Sequence, residues 1–178
     1  SNPTGSVYSR EELEALAAVL LRYPDVLIMT DDIYEHLIYG DARFFTLAQI
    51  EPELSHRTLT CNGMSKAYCM TGWRIGYAGG PPEIINAMKT IQSQITSNPC
   101  SISQVAAAAA LDADQACMLP MLKAYKERSD YVVGALNEIP GFECREGEGA
   151  FYAFPRVIGA MKAKGMKTDA DLVKLVLE

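Results

Sequence analysis

An α/β fold, followed toward the C-terminus by a smaller α+β piece, is what this sequence predicts, and three observations carry that expectation. The run Val26-Leu27-Ile28-Met29-Thr30 is short, apolar and continuous, and it ends in Asp31 and Asp32. A strand buried on both faces of a parallel sheet reads this way, with polar chemistry at its C-terminal end. Helical and strand-like segments alternate over roughly the first 100 residues. Beyond about residue 130 that alternation stops and a hairpin-like stretch leads into a helix.

Each element follows from local signals. Asn2-Pro3-Thr4-Gly5 has the composition of a turn. Ser9 and Glu12 stand at capping-box spacing, and Leu13, Leu16, Ala17, Leu20 and Leu21 repeat at helical intervals. A helix is therefore predicted over residues 9–23, broken by Pro24-Asp25. A polar connection containing Gly40 and Pro52 leads to a second strand over residues 57–62, which ends at Gly63 just before Ser65-Lys66. Residues 75–78 read as a third strand, stopped by Gly79-Gly80-Pro81-Pro82. Helices are predicted over residues 83–96, 101–112 and 115–138, the second containing the strongly helical run of alanines from Ala106 to Ala110. Pro140-Gly141 ends the third. Residues 142–145, the Gly147/Gly149 pair and residues 150–154 read as a hairpin, and a terminal helix begins near Asp169.

Composition narrows the classes of function. Of 178 residues, 49% are apolar and 21% charged, ordinary values for a chain that folds around a core. A net charge of −6, with 16 basic residues and no basic run, argues against nucleic acid or an anionic membrane as the main partner. Any anion site must come from a few placed cations. Five cysteines without a CxxC pair indicate neither a disulfide framework nor a zinc site, and they suit a reducing, cytoplasmic compartment. Two histidines, His36 and His56, make His-rich metal chemistry and a Ser-His-Asp triad poor readings. No apolar run approaches the roughly 20 residues of a membrane span, and residue 1 does not open a signal peptide. Both ends read as cut: residues 1–5 resemble the middle of a loop, and residues 171–178 stop inside a helical pattern. The chain is therefore expected to be a fragment.

Three separated features carry chemistry. Ser65-Lys66 follows a strand end among small residues, where desolvation lowers a lysine pKa and frees a neutral amine for imine formation. Arg74 follows in Thr71-Gly72-Trp73-Arg74, with a planar guanidinium suited to a phosphate dianion. Taken singly, such a lysine is more often a surface residue and such an arginine an ion-pair partner. Asp31-Asp32-Ile33-Tyr34 closes the first strand, and a carboxylate there suits a protonated ring nitrogen, with the Tyr34 phenol in reach of a ring oxygen. An aspartate at a strand-to-helix turn is otherwise a helix N-cap, a role open to Asp32 while Asp31 turns inward. In Asn2-Pro3-Thr4-Gly5, the Asn2 amide can donate to an oxyanion, or the segment is a plain turn.

In order and spacing, Asn2-Pro3-Thr4-Gly5, Asp31-x-x-Tyr34, Ser65-Lys66 and Met70-Thr71-Gly72-Trp73-Arg74-Ile75-Gly76-Tyr77 resemble the class I/II aminotransferases, pyridoxal-phosphate enzymes of fold type I. Gly149-Ala150-Phe151-Tyr152-Ala153-Phe154-Pro155 resembles a further stretch of that family. The resemblance covers essentially the whole chain, is most specific in Ser-Lys…Gly-Trp-Arg, and within the family is nearest to bacterial aspartate aminotransferases, some of which also use prephenate. It implies that residues 1–130 form part of the large three-layer α/β/α, pyridoxal-phosphate-binding domain and that residues 131–178 begin a small α+β domain. It implies that Lys66 holds the cofactor as a Schiff base and moves the substrate α-proton, that Asp31 pairs with the pyridine nitrogen, and that Tyr34 and Asn2 bond to the ring oxygen. Asn2 also lies beside substrate in this reading, Arg74 binds the phosphate, and Ser65 is a phosphate neighbour. No metal is implied.

The implied reaction moves an amino group between an amino acid, aspartate or aromatic in type, and a 2-oxo acid. The implied assembly of the full-length protein is a homodimer. The family's phosphate loop, ring-stacking aromatic and α-carboxylate arginine fall outside this chain, so the fragment alone is expected to be inactive. Other fold type I chemistries (lyase, decarboxylase or racemase) and a non-catalytic ligand-sensing domain are the competing readings, because a fold does not choose among them.

Overall fold

Ser9 opens the first helix as the sequence requires. Its hydroxyl accepts from the Glu12 amide at 3.2 Å while the Glu12 carboxylate accepts from the Ser9 amide at 2.8 Å, a closed capping box. The structure, a computed structural model, describes residues 1–178. Helix α1 (Arg10–Leu20) is followed by β1 (Ile28–Asp31), the short α2 (Leu47–Ile50), a tight helical turn Pro52–Arg57, β2 (Thr58–Gly63) and β3 (Gly76–Gly79). Helices α3 (Pro82–Ile95), α4 (Ser101–Asp112), α5 (Leu119–Asn137), α6 (Ile158–Ala163) and α7 (Asp169–Leu177) complete the chain. The single helix expected over residues 115–138 is divided into a turn, Gln115–Met118, and α5. Pro120 falls in the first turn of α5, where its missing N–H is no loss.

Two compact units form. One comprises Val7–Leu122, the other Ser1–Ser6 with Lys123–Glu178. In the first, the sheet order is β1-β2-β3, with β1 parallel and β3 antiparallel to β2. Leu13 and Ala17 of α1 pack with Leu47 and Leu54, joined by Leu20, Ile28, Phe45 and Ile50. Leu16 and Leu21, equally apolar in the repeat, stay exposed, so the buried stripe of α1 is narrower than its apolar one. A buried cation closes the helix: the Arg57 guanidinium donates to the carbonyls of Leu20 (2.7 Å), Tyr23 (2.9 Å) and Val26 (2.5 Å). These include orphan carbonyls at the negative end of the helix, which a cation satisfies.

The expectation of a strand buried on both faces fails for β1. Burial alternates along it, and Leu27 and Met29 remain 70% and 71% exposed. Period-2 alternation sends Ile28 to the α1 core and Met29 to the opposite face, against which no helix of this unit packs.

In the second unit the expected hairpin contracts to one bridge, Glu143 with Arg156, reinforced by their ion pair at 3.0 Å. The ladder stops because its next backbone groups are already taken. The Asn137 amide donates to the Cys144 carbonyl (2.9 Å) and accepts from its N–H (2.7 Å), while the Gly149 N–H goes to Gly5 (2.9 Å). Gly141 shows why Pro140-Gly141 ends α5: its φ is +87°, and its carbonyl accepts from the Ala160 amide as α6 passes over it. A Cβ at 141 would lie 2.6 Å from the Gly159 carbonyl carbon and against the Ala160 backbone. Gly141→Ala is therefore expected to destabilise this unit by about 1–3 kcal/mol, the combined range for a left-handed backbone and forced overpacking. A denaturant midpoint unchanged by the substitution would count against this packing.

Candidate active site

The register gathers chemistry at one end of the sheet. Asp31, the last residue of β1, pairs with Cys61 of β2, and Gly63 at the end of β2 pairs with Gly76 at the start of β3. The carboxyl ends of the two parallel strands and the amino end of β3 therefore lie together, the edge where open α/β sheets bind ligands. Tyr34 lies in the turn after β1, Ser65 and Lys66 in the turn after β2, and Arg74 two residues before β3. These five predicted residues share that edge. Asn2 belongs to the other unit, in a turn beside Gly5, whose φ of +78° lets its backbone meet Gly147 and Gly149.

The Lys66 turn is held at its base. The Met64 N–H bonds to the Ile75 carbonyl (3.1 Å), Met70 bonds back to Met64 (3.3 Å), and Cys69 to Lys66 (3.2 Å). Met64, fully buried, anchors the loop in a cluster with Ile75 and Ala107, against which Tyr68, Met70 and Ala110 pack. The Lys66 side chain itself is half-buried. Arg74 sits in the left-handed region (φ 53°, ψ 48°), its exposed guanidinium donating to the Thr71 carbonyl at 2.9 Å and joining no ion pair. Cys69 on the same loop also has positive φ. Left-handed non-glycine residues are costly and cluster at functional sites.

The two aspartates exchange the roles open to them. Asp31 is exposed at the strand end, its carboxylate 3.4 Å from the Ile33 amide, whereas Asp32 is buried. No helix follows for Asp32 to cap, only a turn over residues 33–36. Burial holds the Asp32 carboxyl above the ordinary carboxylate range; the Thr46 and Thr30 hydroxyls oppose this, and the charges of Glu35 and Asp31 add to it. A raised folded-state pKa means that ionised Asp32 disfavours the fold, a cost absent below 3.8 and growing as pH rises through the folded value. Asp32→Asn is accordingly expected to raise the thermal midpoint at pH 7, with the gain vanishing as pH falls toward 3.8. Midpoints measured across that range check the sign.

Residues that sequence spacing did not reveal connect the two turns. The Asn62 amide donates to the Glu35 carboxylate at 2.6 Å and its carbonyl accepts from the Gly63 N–H at 2.7 Å. His36 Nε2 lies 3.2 Å from the same carboxylate, and its ring meets Tyr68 edge-on at 6.3 Å. The Tyr68 hydroxyl donates to Gln115 at 2.6 Å. The His36 bond holds the Glu35 carboxyl below its ordinary range against the opposing effect of burial. Burial, then Glu35 and Tyr68, push the Tyr77 phenol upward, and burial with the charges of Asp31 and Asp32 raises the Cys61 thiol. The one sequence signal for this group is the carboxamide of Asn62 near the end of a strand.

An α/β sheet with a carboxylate, an amine and a guanidinium at its strand ends has the layout of a ligand-binding edge. Residues 1–175 match the model of the family described as aminotransferase class I and II, and the chain belongs to that family. It is 58% identical over 174 residues to the aspartate/prephenate aminotransferase of Cereibacter sphaeroides, covering 96% of this chain and 44% of that protein. It is 60% identical over 154 residues to the aspartate/prephenate aminotransferase of Nitrosomonas europaea, covering 86% of this chain and 39% of that protein. The crystal structure of the aspartate aminotransferase from Rhizobium meliloti superposes with a TM-score of 0.86 at 53% identity, over 89% of this chain and 40% of that one. The fold is thus the expected fold type I arrangement, and the chain spans less than half the length of these relatives. No single helix is long and apolar enough to cross a membrane.

Proposed function

We propose that this chain carries the cofactor-binding strand ends of a pyridoxal-phosphate-dependent aminotransferase. Its reaction moves an amino group between an amino acid, aspartate or aromatic in type, and a 2-oxo acid. The observation that supports this most is the convergence of Asp31, Lys66 and Arg74 on one sheet edge, with Asp31 exposed and Arg74 in no ion pair. The printed names of the relatives, aspartate/prephenate and aspartate aminotransferase, favour the same donor class.

The residues fit the cofactor's chemistry. An exposed carboxylate at a strand end suits a pyridine nitrogen, a half-buried amine on a pinned turn suits an aldehyde, and an exposed planar guanidinium in no ion pair suits a phosphate. When bound, pyridoxal phosphate supplies an electron sink for the pair left on the substrate α-carbon. Lys66 Nζ is the point of attachment and the base that takes the α-proton. The Asp31 carboxylate holds a proton on the ring nitrogen, and the Tyr34 hydroxyl donates to the ring oxygen. Arg74 grips the phosphate, with the Ser65 hydroxyl beside it. In this reading the full-length protein is a cytoplasmic homodimer, and the 178-residue chain alone does not turn over efficiently.

The test is a visible absorbance spectrum with added pyridoxal phosphate, followed by borohydride reduction and peptide mapping. A single fixed label on Lys66 is the expected result. A label on Lys89 or Lys123 instead overturns the assignment. Assay of several amino acids, following the 2-oxo acid against released ammonia, separates amino transfer from elimination.

A further inference from the structure

We infer that Glu35 is a positioning residue that locks the turn carrying Asp31 and Tyr34 to the loop carrying Lys66. The inference rests on the proposed function for the identity of the site, but not for the coupling itself. Glu35 lies next to Tyr34 in sequence, and one oxygen of its half-buried carboxylate, Oε1, meets two partners. It accepts from Asn62 Nδ2 at 2.6 Å, and Asn62 in turn receives the Gly63 N–H at 2.7 Å. The last residues of β2, immediately before the Lys66 turn, are thereby fixed by a side chain from the β1 turn.

The same oxygen meets His36 Nε2 at 3.2 Å. The His36 ring sits edge-on to Tyr68, two residues beyond Lys66 on the same loop, and Tyr68 is tied by its hydroxyl to Gln115 behind α4. Both ends of the Lys66 turn are therefore reached from Glu35: the entry through Asn62 and the exit through His36 and Tyr68. The groups facing this carboxylate are Asn62 from β2, His36 on its own turn, Tyr68 from the Lys66 loop, Tyr77 from β3 and Asp32 on its own turn. Only Asn62 and His36 bond to it. The ladder already pairs Asp31 with Cys61, and the Glu35 cross-link extends that registry to the turns that follow each strand, so a group of fixed size bound between Asp31 and Lys66 feels its loss.

Backbone amide exchange tests the coupling on the chain without cofactor, and titration with pyridoxal phosphate tests its consequence. The amides of Cys69 and Met70 are hydrogen-bonded within the Lys66 loop and report on it. Glu35→Ala is expected to speed their exchange about tenfold, the loss of one charge-assisted hydrogen bond, while amides of α1 keep their rates. Glu35→Gln, which retains an acceptor for Asn62, is expected to restore most of the protection. Pyridoxal phosphate affinity should follow the same order, weakest in Glu35→Ala and intermediate in Glu35→Gln. Unchanged exchange at Cys69 and Met70, or equal acceleration in α1 and the loop, overturns the coupling. If Glu35→Ala does not fold, Asn62→Ala probes the same bond from its other end. Absence of cofactor uptake by a protein spanning the full length of the relatives sinks the proposed function, while the exchange rates still decide the coupling.

Discussion

Lys66→Ala is expected to abolish the borohydride-fixed pyridoxal label while leaving the chain folded. The fold does not depend on this side chain: the loop is secured by Met64 and Ile75 in the apolar cluster and by the backbone bonds of Met64 and Met70. The chemistry does, because one amine is asked both to attach the cofactor and to move a proton. Proton transfer by a positioned group contributes roughly 10²–10⁴-fold on its own, so turnover of a longer protein carrying the substitution should fall by at least that factor. Lys66→Arg makes the sharper comparison. It keeps positive charge, but a guanidinium does not form the imine, so it should retain some affinity for pyridoxal phosphate and no fixed label. Circular dichroism alongside the labelling distinguishes lost chemistry from lost structure; retention of a full label by either variant would falsify the role given to Lys66.

Arg57→Met is expected to have the largest effect on stability in the Val7–Leu122 unit. Arg57 is 5% exposed and no acidic residue pairs with it; its charge is balanced by three backbone carbonyls. Removing the guanidinium leaves those part-buried carbonyls without it, a loss of about 2–6 kcal/mol if two of the three cannot be re-solvated. Such a loss lowers the thermal midpoint by on the order of 10 °C for a chain of this size. Arg57→Lys should fall between, since an ammonium carries the charge but not a fork that reaches three carbonyls. Urea midpoints for the three proteins, followed by circular dichroism, give the ordering; equal midpoints would show the clamp to be incidental.

Where local signals are strong, the chain reads well. Ser9 with Glu12 starts α1, Pro140-Gly141 ends α5, and helix α4 spans residues 101–112 as its alanine-rich pattern requires. Strands β2 and β3 fall within one residue of expectation. The failures are those where a distant partner decides. The hairpin is interrupted because Asn137 occupies both backbone groups of Cys144, a contact made by a side chain from a different element. Burial of β1 was overread because an apolar run states what a strand can bury, and Met29 lies on the side away from α1. Asp31 and Asp32 are adjacent and identical, so only the backbone course after β1 decides which one is exposed. Asp31, Tyr34, Ser65, Lys66 and Arg74 stand out in the sequence as candidates because their types lie close to strand ends. Glu35 and Asn62 do not, since a contact across 27 positions leaves no mark in spacing.

The left-handed backbone at Arg74 sets two selection pressures against each other. At φ 53° the residue that fits with least strain is glycine, followed by asparagine. A population of variants sorted only for resistance to heat would therefore drift toward those residues at position 74. Under the role proposed for Arg74, one sorted for retention of a phosphate-bearing ligand would hold arginine there, at a small continuing loss of stability. Position 74 is thus a place where a more robust protein and a more capable one diverge, and a design effort that optimises the first would erase the second without disturbing any packed contact.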